Sequence, residues 1–387
     1  MTPAARQSAA IDILDRWLGG QALEAALTQW ARASRFAGSG DREAVRDLVF
    51  RAVRQRRSLA ALGGGESGRA LLLGMARADG QGIEGWTGQG HSPAPPTQAE
   101  AALLATAPAG LPRSVALDCP DWLLPLFDAA LPGQADAVLE RMRQRAPVFV
   151  RVNAARAGVA EVSAELARDG IATRPCPLAP HALEVTENAR KLRGTPAFAQ
   201  GRIELQDAAS QAVAHRFAKA VGPGEALDYC AGGGGKALAL AALGLRVSAH
   251  DANPGRMADL PARATRAGAA ITVVKGAPRG QWRAILADAP CSGSGSWRRA
   301  PEAKWTFTPE RLAELTRVQD DILQRCAALC APGGVLGYAT CSVLEVENEA
   351  RVTAFLGRHP DWNPAGVLRL SPLDGGDGFF LALLQRT

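Results

Sequence analysis

Residues 226–240 read ALDYCAGGGGKALAL. A short apolar run ends at Asp228, Tyr229 and Cys230, four consecutive glycines follow at 232–235, and an alanine- and leucine-rich stretch starts at Lys236. Strand, glycine turn and helix in that order let the backbone turn sharply and approach a ligand at a helix N-terminus, the arrangement of a nucleoside cofactor site. Twenty-one residues after Cys230 a second apolar run ends in His250 and Asp251. A carboxylate at that place in an α/β sheet grips a ribose diol. The candidate cofactor-binding residues are therefore Cys230, Ala231, Gly232, Gly233, Gly234, Gly235, Lys236 and Asp251. These features alone leave a nicotinamide dinucleotide and S-adenosylmethionine both open.

Working outward, strands are expected over 226–230, 246–251, 271–275, 284–289 and 334–340, with helices over 236–243, 255–267, 309–330 and 345–357. Such alternation predicts a doubly wound, Rossmann-like α/β sheet at the C-terminus, with 378–385 as a terminal strand. Residues 5–75 read as helices instead. Within 39–59, Val45, Leu48, Val49, Ala52 and Val53 recur at intervals of three and four, which predicts one amphipathic helix with a basic side. The stretch 80–96 is rich in glycine and proline and reads as a loop, with a domain boundary there or at 108–112. Two short helices over 119–145 and a strand over 148–153 then open a small α/β region. Three domains are expected: an all-α one over 1–112 with its linker, a small α/β one over 113–200, and the large sheet over 201–387.

Composition narrows the classes. The 387 residues carry 44 basic and 38 acidic side chains and are 47% hydrophobic, which excludes a disordered or collagen-like chain. No run of about 18 apolar residues exists, and no secretory segment is visible, so a cytoplasmic protein that neither spans nor binds a membrane is expected. Seven cysteines form no C-x-x-C pair, and the five histidines are scattered, so no metal site is expected. Cys326 and Cys330 read as core. Nothing indicates an oligomer, and a monomer is the default expectation.

Two later strand ends carry the chemistry. One reads DAPCSGSG over 288–295 and the other ATCS over 339–342, so Cys291 and Cys341 both fall at the carboxyl edge of the sheet, beside Asp288. Carbon 5 of cytosine is a poor nucleophile until a thiolate adds to carbon 6 and makes an enamine. Asp288 has a role in such an addition, as an acid or an amide-binding carboxylate at the developing charge. A second cysteine can assist when the carbon 5 proton leaves and the first thiol is expelled.

The strings CAGGGGK, DAPCSGSG, ATCSV followed by EVENE, and the late GDGFF resemble those of the Sun/Nop family of RNA cytosine-5 methyltransferases. The upstream RVN and QDAASQ match the family's arrangement, and residues 39–59 are similar to the NusB-like RNA-binding domain of the bacterial small-subunit branch. The resemblance implies S-adenosylmethionine as cofactor, Cys341 as nucleophile, Cys291 as the cysteine assisting product release and Asp288 as the carboxylate at the target base and cofactor. It implies the 230–236 loop at the methionine side of the cofactor and Asp251 at its ribose. The chain departs from the family at Gly233, where a proline is usual. The expected substrate is 16S ribosomal RNA. Transfer RNA, or a non-catalytic RNA-binding role on the same fold, is the alternative.

Basic clusters support an RNA partner. Arg51, Arg54, Arg56 and Arg57, the group Arg141 to Arg151, and Lys191 with Arg193 read as phosphate contacts. Arg298, Arg299, Lys304 and Trp305 read as holding the RNA backbone and stacking on a base.

Overall fold

The computed structural model describes residues 1–107 and 110–387. Pro108, within the expected 108–112 boundary, lies outside the described residues together with Ala109. The chain forms two compact units. One comprises Met1–Asp128, Gly133–Arg145 and Trp297–Thr306; the other comprises Ala129–Pro132, Ala146–Ser296 and Phe307–Thr387. Among the described residues no helix is long and apolar enough to cross a membrane, and no cluster of His, Cys, Asp or Glu is arranged to hold a metal.

The first unit is helical. Helices Pro3–Leu18, Leu23–Ala33, Ser39–Arg54, Arg56–Gly63 and Gly68–Ala78 bury Ile13, Leu14, Val45, Val49, Val53 and Leu71 in one core. Side-chain oxygens of Thr2 and Ser67 cap two of the helix starts by accepting from Ala5 and Ala70 N–H. The single helix expected over 39–59 is broken at Gln55. Three side chains distant in sequence take the backbone groups that the break frees. Trp305 Nε1 donates to the Val53 carbonyl at 2.7 Å, Lys304 Nζ donates to the Arg54 carbonyl at 3.3 Å, and Asp118 accepts from Ser58 N–H at 2.9 Å.

These contacts correct the reading of residues 298–305 as an RNA grip. Arg298 and Lys304 are buried, Trp305 joins the helical core, and of the four only Arg299 is exposed. Burial pushes the Lys304 ammonium down to about 8, although Asp118 opposes that. The basic clusters are also largely spent inside the unit. Arg51 pairs with Asp79, Arg56 with Glu66, Arg57 with Asp121, Arg143 with Asp118 and Glu140, and Arg145 with Asp47, while Arg54 is buried.

The second unit has two sheets. In the smaller, β1 (Val148–Val152), β2 (Thr173–Pro175), β3 (Ala182–Val185) and β4 (Ile203–Leu205) lie in the order β2-β3-β1-β4, all antiparallel. The alternation of β1 separates two cores rather than core from solvent. Val150 and Val152 join Val162 and Leu166, while Phe149 meets Ala208 and Ala212.

The larger sheet contains β5 (Glu225–Asp228), β6 (Arg246–Ala249), β7 (Ile271–Val273), β8 (Trp282–Asp288), β9 (Cys330–Thr340), β10 (Trp362–Leu370) and β11 (Phe379–Arg386). Their order is β10-β11-β9-β8-β5-β6-β7. The strands β5 to β9 pair in parallel, and β11 runs antiparallel between β9 and β10. This is the doubly wound sheet that the alternating pattern predicts. β10 has no counterpart in the sequence reading, because an edge strand with mostly solvent-facing residues, Pro364 and a bulge at Gly366 lacks a clean period-two signal. The strand order switches sides between the parallel strands β5 and β8, which opens a crevice at their carboxyl ends.

Trp305→Phe, which removes the donor to Val53, should cost about 1 kcal/mol in urea denaturation. Asp118→Ala, which leaves Ser58 N–H and Arg143 Nε without their acceptor, should cost about 3 kcal/mol.

Candidate active site

Four strand ends supply the site. After β5, Cys230 to Gly235 lead into the helix Gly235–Ala242. Gly232 and Gly234 adopt φ of +53° and +79°, which L side chains rarely reach, and a Cβ on Gly234 would lie 2.3 Å from Leu260. Gly233 differs: a Cβ there would meet only Arg263 Nη1, at 3.5 Å, so a side chain has room where the family carries proline. The loop is tied from both sides. Gly232 N–H donates to Asp251 Oδ2 at 2.8 Å, and the Gly235 carbonyl accepts from Gln206 Nε2 at 3.2 Å. Gln206 in turn accepts from Arg151 Nε at 2.7 Å. Arg151 and Gln206 thus brace the glycine loop. Their signal was the RVN and QDAASQ strings, which by themselves carry no chemical role.

Asp251, at the end of β6, is buried, and its other oxygen accepts from Asn253 N–H at 2.9 Å. Arg256 approaches Asp251 at 3.3 Å. Asp228, the last residue of β5, is fully buried, and neither of its carboxyl oxygens has a hydrogen-bond partner among the described residues. Burial first, then the neighbouring Asp288 carboxylate, pushes its carboxyl up to about 7 against the pull of Lys236.

Lys236 does not face solvent from the helix start. Its Nζ lies 2.8 Å from Asp288 Oδ2 and 4.6 Å from the Phe379 ring centre. Burial alone lowers the pKa of this ammonium, but Asp288, Cys341 and Asp228 outweigh it and raise the value.

The loops after β8 and β9 bring the two motif cysteines together. Cys291 Sγ and Cys341 Sγ are 3.3 Å apart, the distance of a thiol hydrogen bond. The hydrogen bond from Cys291 holds the Cys341 thiol below its ordinary 9.0, against burial and the Asp288 charge, and Lys236 pulls the same way. The same contact, followed by burial, pushes Cys291 well above 9.0. The Cys341 thiol therefore ionises more readily than an ordinary thiol, and the Cys291 thiol less readily. Cys326 and Cys330 are buried away from this pair, and burial raises both thiols.

Behind the cysteines lies a polar network that the motif reading passed over. The expected helix over 345–357 is interrupted. A 3-10 turn covers Glu345–Glu347, Asn348 has φ of −110° and ψ of −98°, and the α-helix runs over Glu349–Arg358. Tyr338 OH donates to the Glu347 carbonyl at 2.6 Å, Thr340 Oγ1 to Asn348 Oδ1 at 2.5 Å, and Asn348 Nδ2 to the Ser342 carbonyl at 3.0 Å. The first of these satisfies a backbone carbonyl at the interruption, and the other two fix the Asn348 side chain. The EVENE string was visible, but its partners are not.

Comparison with known proteins agrees with this arrangement. The family model described as 16S rRNA methyltransferase RsmB/F matches residues 220–385, and the RsmF/B-like ferredoxin-like domain matches residues 119–190. A protein named ribosomal RNA small subunit methyltransferase B from Citrobacter koseri is 35% identical over 283 residues, covering 68% of this chain and 66% of that protein. Its namesake from Photorhabdus laumondii is 31% identical over 285 residues, covering 69% and 66%. The match thus spans just under two thirds of the length of these curated relatives. The crystal structure of PH0851 shares the fold over 100% of this chain and 99% of its own, with a TM-score of 0.77 at 20% identity. A methyltransferase homologue from Pyrococcus horikoshii shares it over 71% of this chain and 98% of its own, with a TM-score of 0.63 at 23% identity.

Iodoacetamide at pH 8 should label Cys341 at least about tenfold faster than Cys291, read by peptide mass spectrometry. Cys291→Ala should move the pH midpoint of Cys341 labelling upward. A second expectation follows from Asp228. Its carboxyl titrates at about 7 in the folded chain against an ordinary 3.8, so folding favours the protonated form. Wild type should lose stability relative to Asp228→Asn as pH rises from about 4 to about 7, with a constant difference above that, measured by denaturant midpoints across pH.

Proposed function

The chain belongs to the RsmB/F family of 16S rRNA methyltransferases, and from that membership we propose that it methylates carbon 5 of a cytosine in small-subunit ribosomal RNA. The methyl donor in this reading is S-adenosylmethionine, and the reaction passes through a covalent bond between Cys341 and the base. The observation that carries the reading is the pair of sulfurs 3.3 Å apart at the carboxyl edge, beside the ion pair of Lys236 and Asp288.

The residues present fit the cofactor. Left-handed glycines at 232 and 234 keep side chains off the loop surface, and Asp251 stands at the β6 end where a ribose diol binds. The unpartnered Asp228 oxygens favour a cation nearby. When bound, the sulfonium supplies an electrophilic methyl group.

Every other step belongs to the protein, the RNA and solvent. Cys341, as thiolate, forms a bond to carbon 6, and the displaced electron pair makes carbon 5 an enamine-type nucleophile. Asp288, held by Lys236, accepts from the 4-amino group of cytosine, a donor that uracil lacks. Lys236 offsets the negative charge that moves into this pocket. After methyl transfer a water molecule takes the proton from carbon 5, and the Cys291 thiol, in hydrogen-bond contact with the Cys341 sulfur, assists that sulfur's departure. The electron pair of that C–H bond re-forms the ring double bond and expels the Cys341 thiolate.

The target cytosine must leave its stack to reach Cys341. The expected bounds 1–112, 113–200 and 201–387 shift, since the helical unit runs on through Arg145 and takes in Trp297–Thr306, and the small sheet ends at Leu205. We assign presentation of the RNA to the NusB-like helical unit and the small sheet, and methyl transfer to the larger sheet. A ribosomal RNA substrate puts this work in the cytoplasm.

Cys341→Ala should abolish methyl transfer to an unmodified 16S transcript, with a loss of at least about 10³-fold. Cys291→Ala should accumulate a protein–RNA adduct that survives denaturation, and Cys341→Ala should not. Equal trapping by both variants would overturn the division of roles.

A further inference from the structure

The two sulfurs sit at the tips of separate strands, and the backbone does little to fix their separation. Gly295 N–H donates to the Cys341 carbonyl at 2.9 Å, and Ala289 N–H donates to the Ala339 carbonyl at 2.8 Å. Neither bond reaches a cysteine side chain. A wholly buried carboxylate supplies the missing link. Glu347, 0% exposed, accepts four hydrogen bonds. Its Oε1 takes Ser292 N–H at 2.8 Å and Gln319 Nε2 at 3.1 Å; its Oε2 takes the Ser292 and Ser342 hydroxyls, each at 2.5 Å. Ser292 directly follows Cys291, and Ser342 directly follows Cys341.

We propose that Glu347 is a positioning residue for the methyl transfer: its carboxylate binds the residue after each cysteine and so sets the distance between the two sulfurs. The role rests on the covalent mechanism given above. Glu347 touches neither substrate nor cofactor, because its donors enclose it. Gln319, on the helix Pro309–Leu329, extends the hold to the Pro290 carbonyl at 3.0 Å, one residue before Cys291. Both flanks of Cys291 are therefore anchored through one carboxylate.

A carboxylate is the group this place requires. Ser292 N–H and the Gln319 amide can only donate here, and the two hydroxyls carry further obligations as acceptors. Ser294 N–H donates to Ser292 Oγ at 3.2 Å, and Leu344 N–H donates to Ser342 Oγ at 3.0 Å. With those acceptor positions taken, the hydroxyl protons are directed at Glu347. Glutamine presents one acceptor oxygen and one amide donor, so it serves one pair of donors and opposes the other. Aspartate keeps the charge but shortens the reach by one methylene, and cannot bridge both loops at these distances.

The test uses the full chain. Glu347→Gln and Glu347→Asp should lower kcat about 10²-fold, the scale of a catalytic group displaced by about 1 Å, while KM for S-adenosylmethionine stays within about twofold. In both variants the pH midpoint of Cys341 alkylation should rise toward that of an ordinary thiol, a change that lost stability alone does not produce. Glu349→Gln, two residues on in the same string and paired with Arg369 instead, should match wild type in both readouts. Should neither Glu347 variant fold, Ser292→Ala keeps the backbone donor, removes one hydroxyl, and should shift the same two quantities in the same direction. Wild-type kcat and an unmoved Cys341 midpoint in the folded variants overturn the positioning role alone. A wild-type protein that transfers no methyl group and forms no adduct overturns the covalent reading beneath it.

Discussion

Two thiols can cooperate on one base only if they arrive at the same point, and the parallel pairing of β8 with β9 makes that possible. Adjacent parallel strands end on the same edge, so the turn after each delivers its cysteine to a common crevice. The switch in strand order between the parallel strands β5 and β8 then puts the glycine loop beside that edge. Lys236, at the start of the helix after the loop, reaches Asp288 at the end of β8 and lies near Cys341. The glycine loop and the thiol pair are consequently joined by one ion pair, between buried Lys236 and half-buried Asp288.

Electrostatics follow from that geometry. A thiolate in a buried pocket is unfavourable unless something compensates it. The Cys291 hydrogen bond and the Lys236 charge supply the compensation, against the opposing charge of Asp288. At Asp228 burial and the neighbouring Asp288 carboxylate outweigh the pull of Lys236, so its proton stays until about pH 7. The pocket therefore separates its acids: the pKa of the Cys341 thiol is lowered, while those of the Cys291 thiol and the Asp228 carboxyl are raised.

What was legible in the sequence divides along a physical line. Glycine turns and cysteines at strand ends are local patterns, so the doubly wound sheet and the residues gathered at its edge could be read directly. Contacts between distant segments could not. The break at Gln55 depends on Asp118, Lys304 and Trp305, which no window around residue 55 contains. Lys304 and Trp305 looked like an RNA grip because a basic residue beside an aromatic one gives the same pattern whether it meets a phosphate or a helix break. Glu347 stood inside a recognised string, yet its donors Ser292 and Gln319 lie 55 and 28 positions away. β10 was missed for a simpler reason: an edge strand facing solvent need not alternate.

The helical unit is discontinuous along the chain, since Trp297–Thr306 belong to it although they follow the Cys291 loop. No single scission can therefore excise the sheet-bearing half intact. A fragment starting at residue 146 would carry ten orphaned residues, among them Trp297, Trp305 and a lysine adapted to a dry interior. Inheritance of the two halves is coupled for the same reason: a swap of the N-terminal helices from another lineage must bring a matching decapeptide with it.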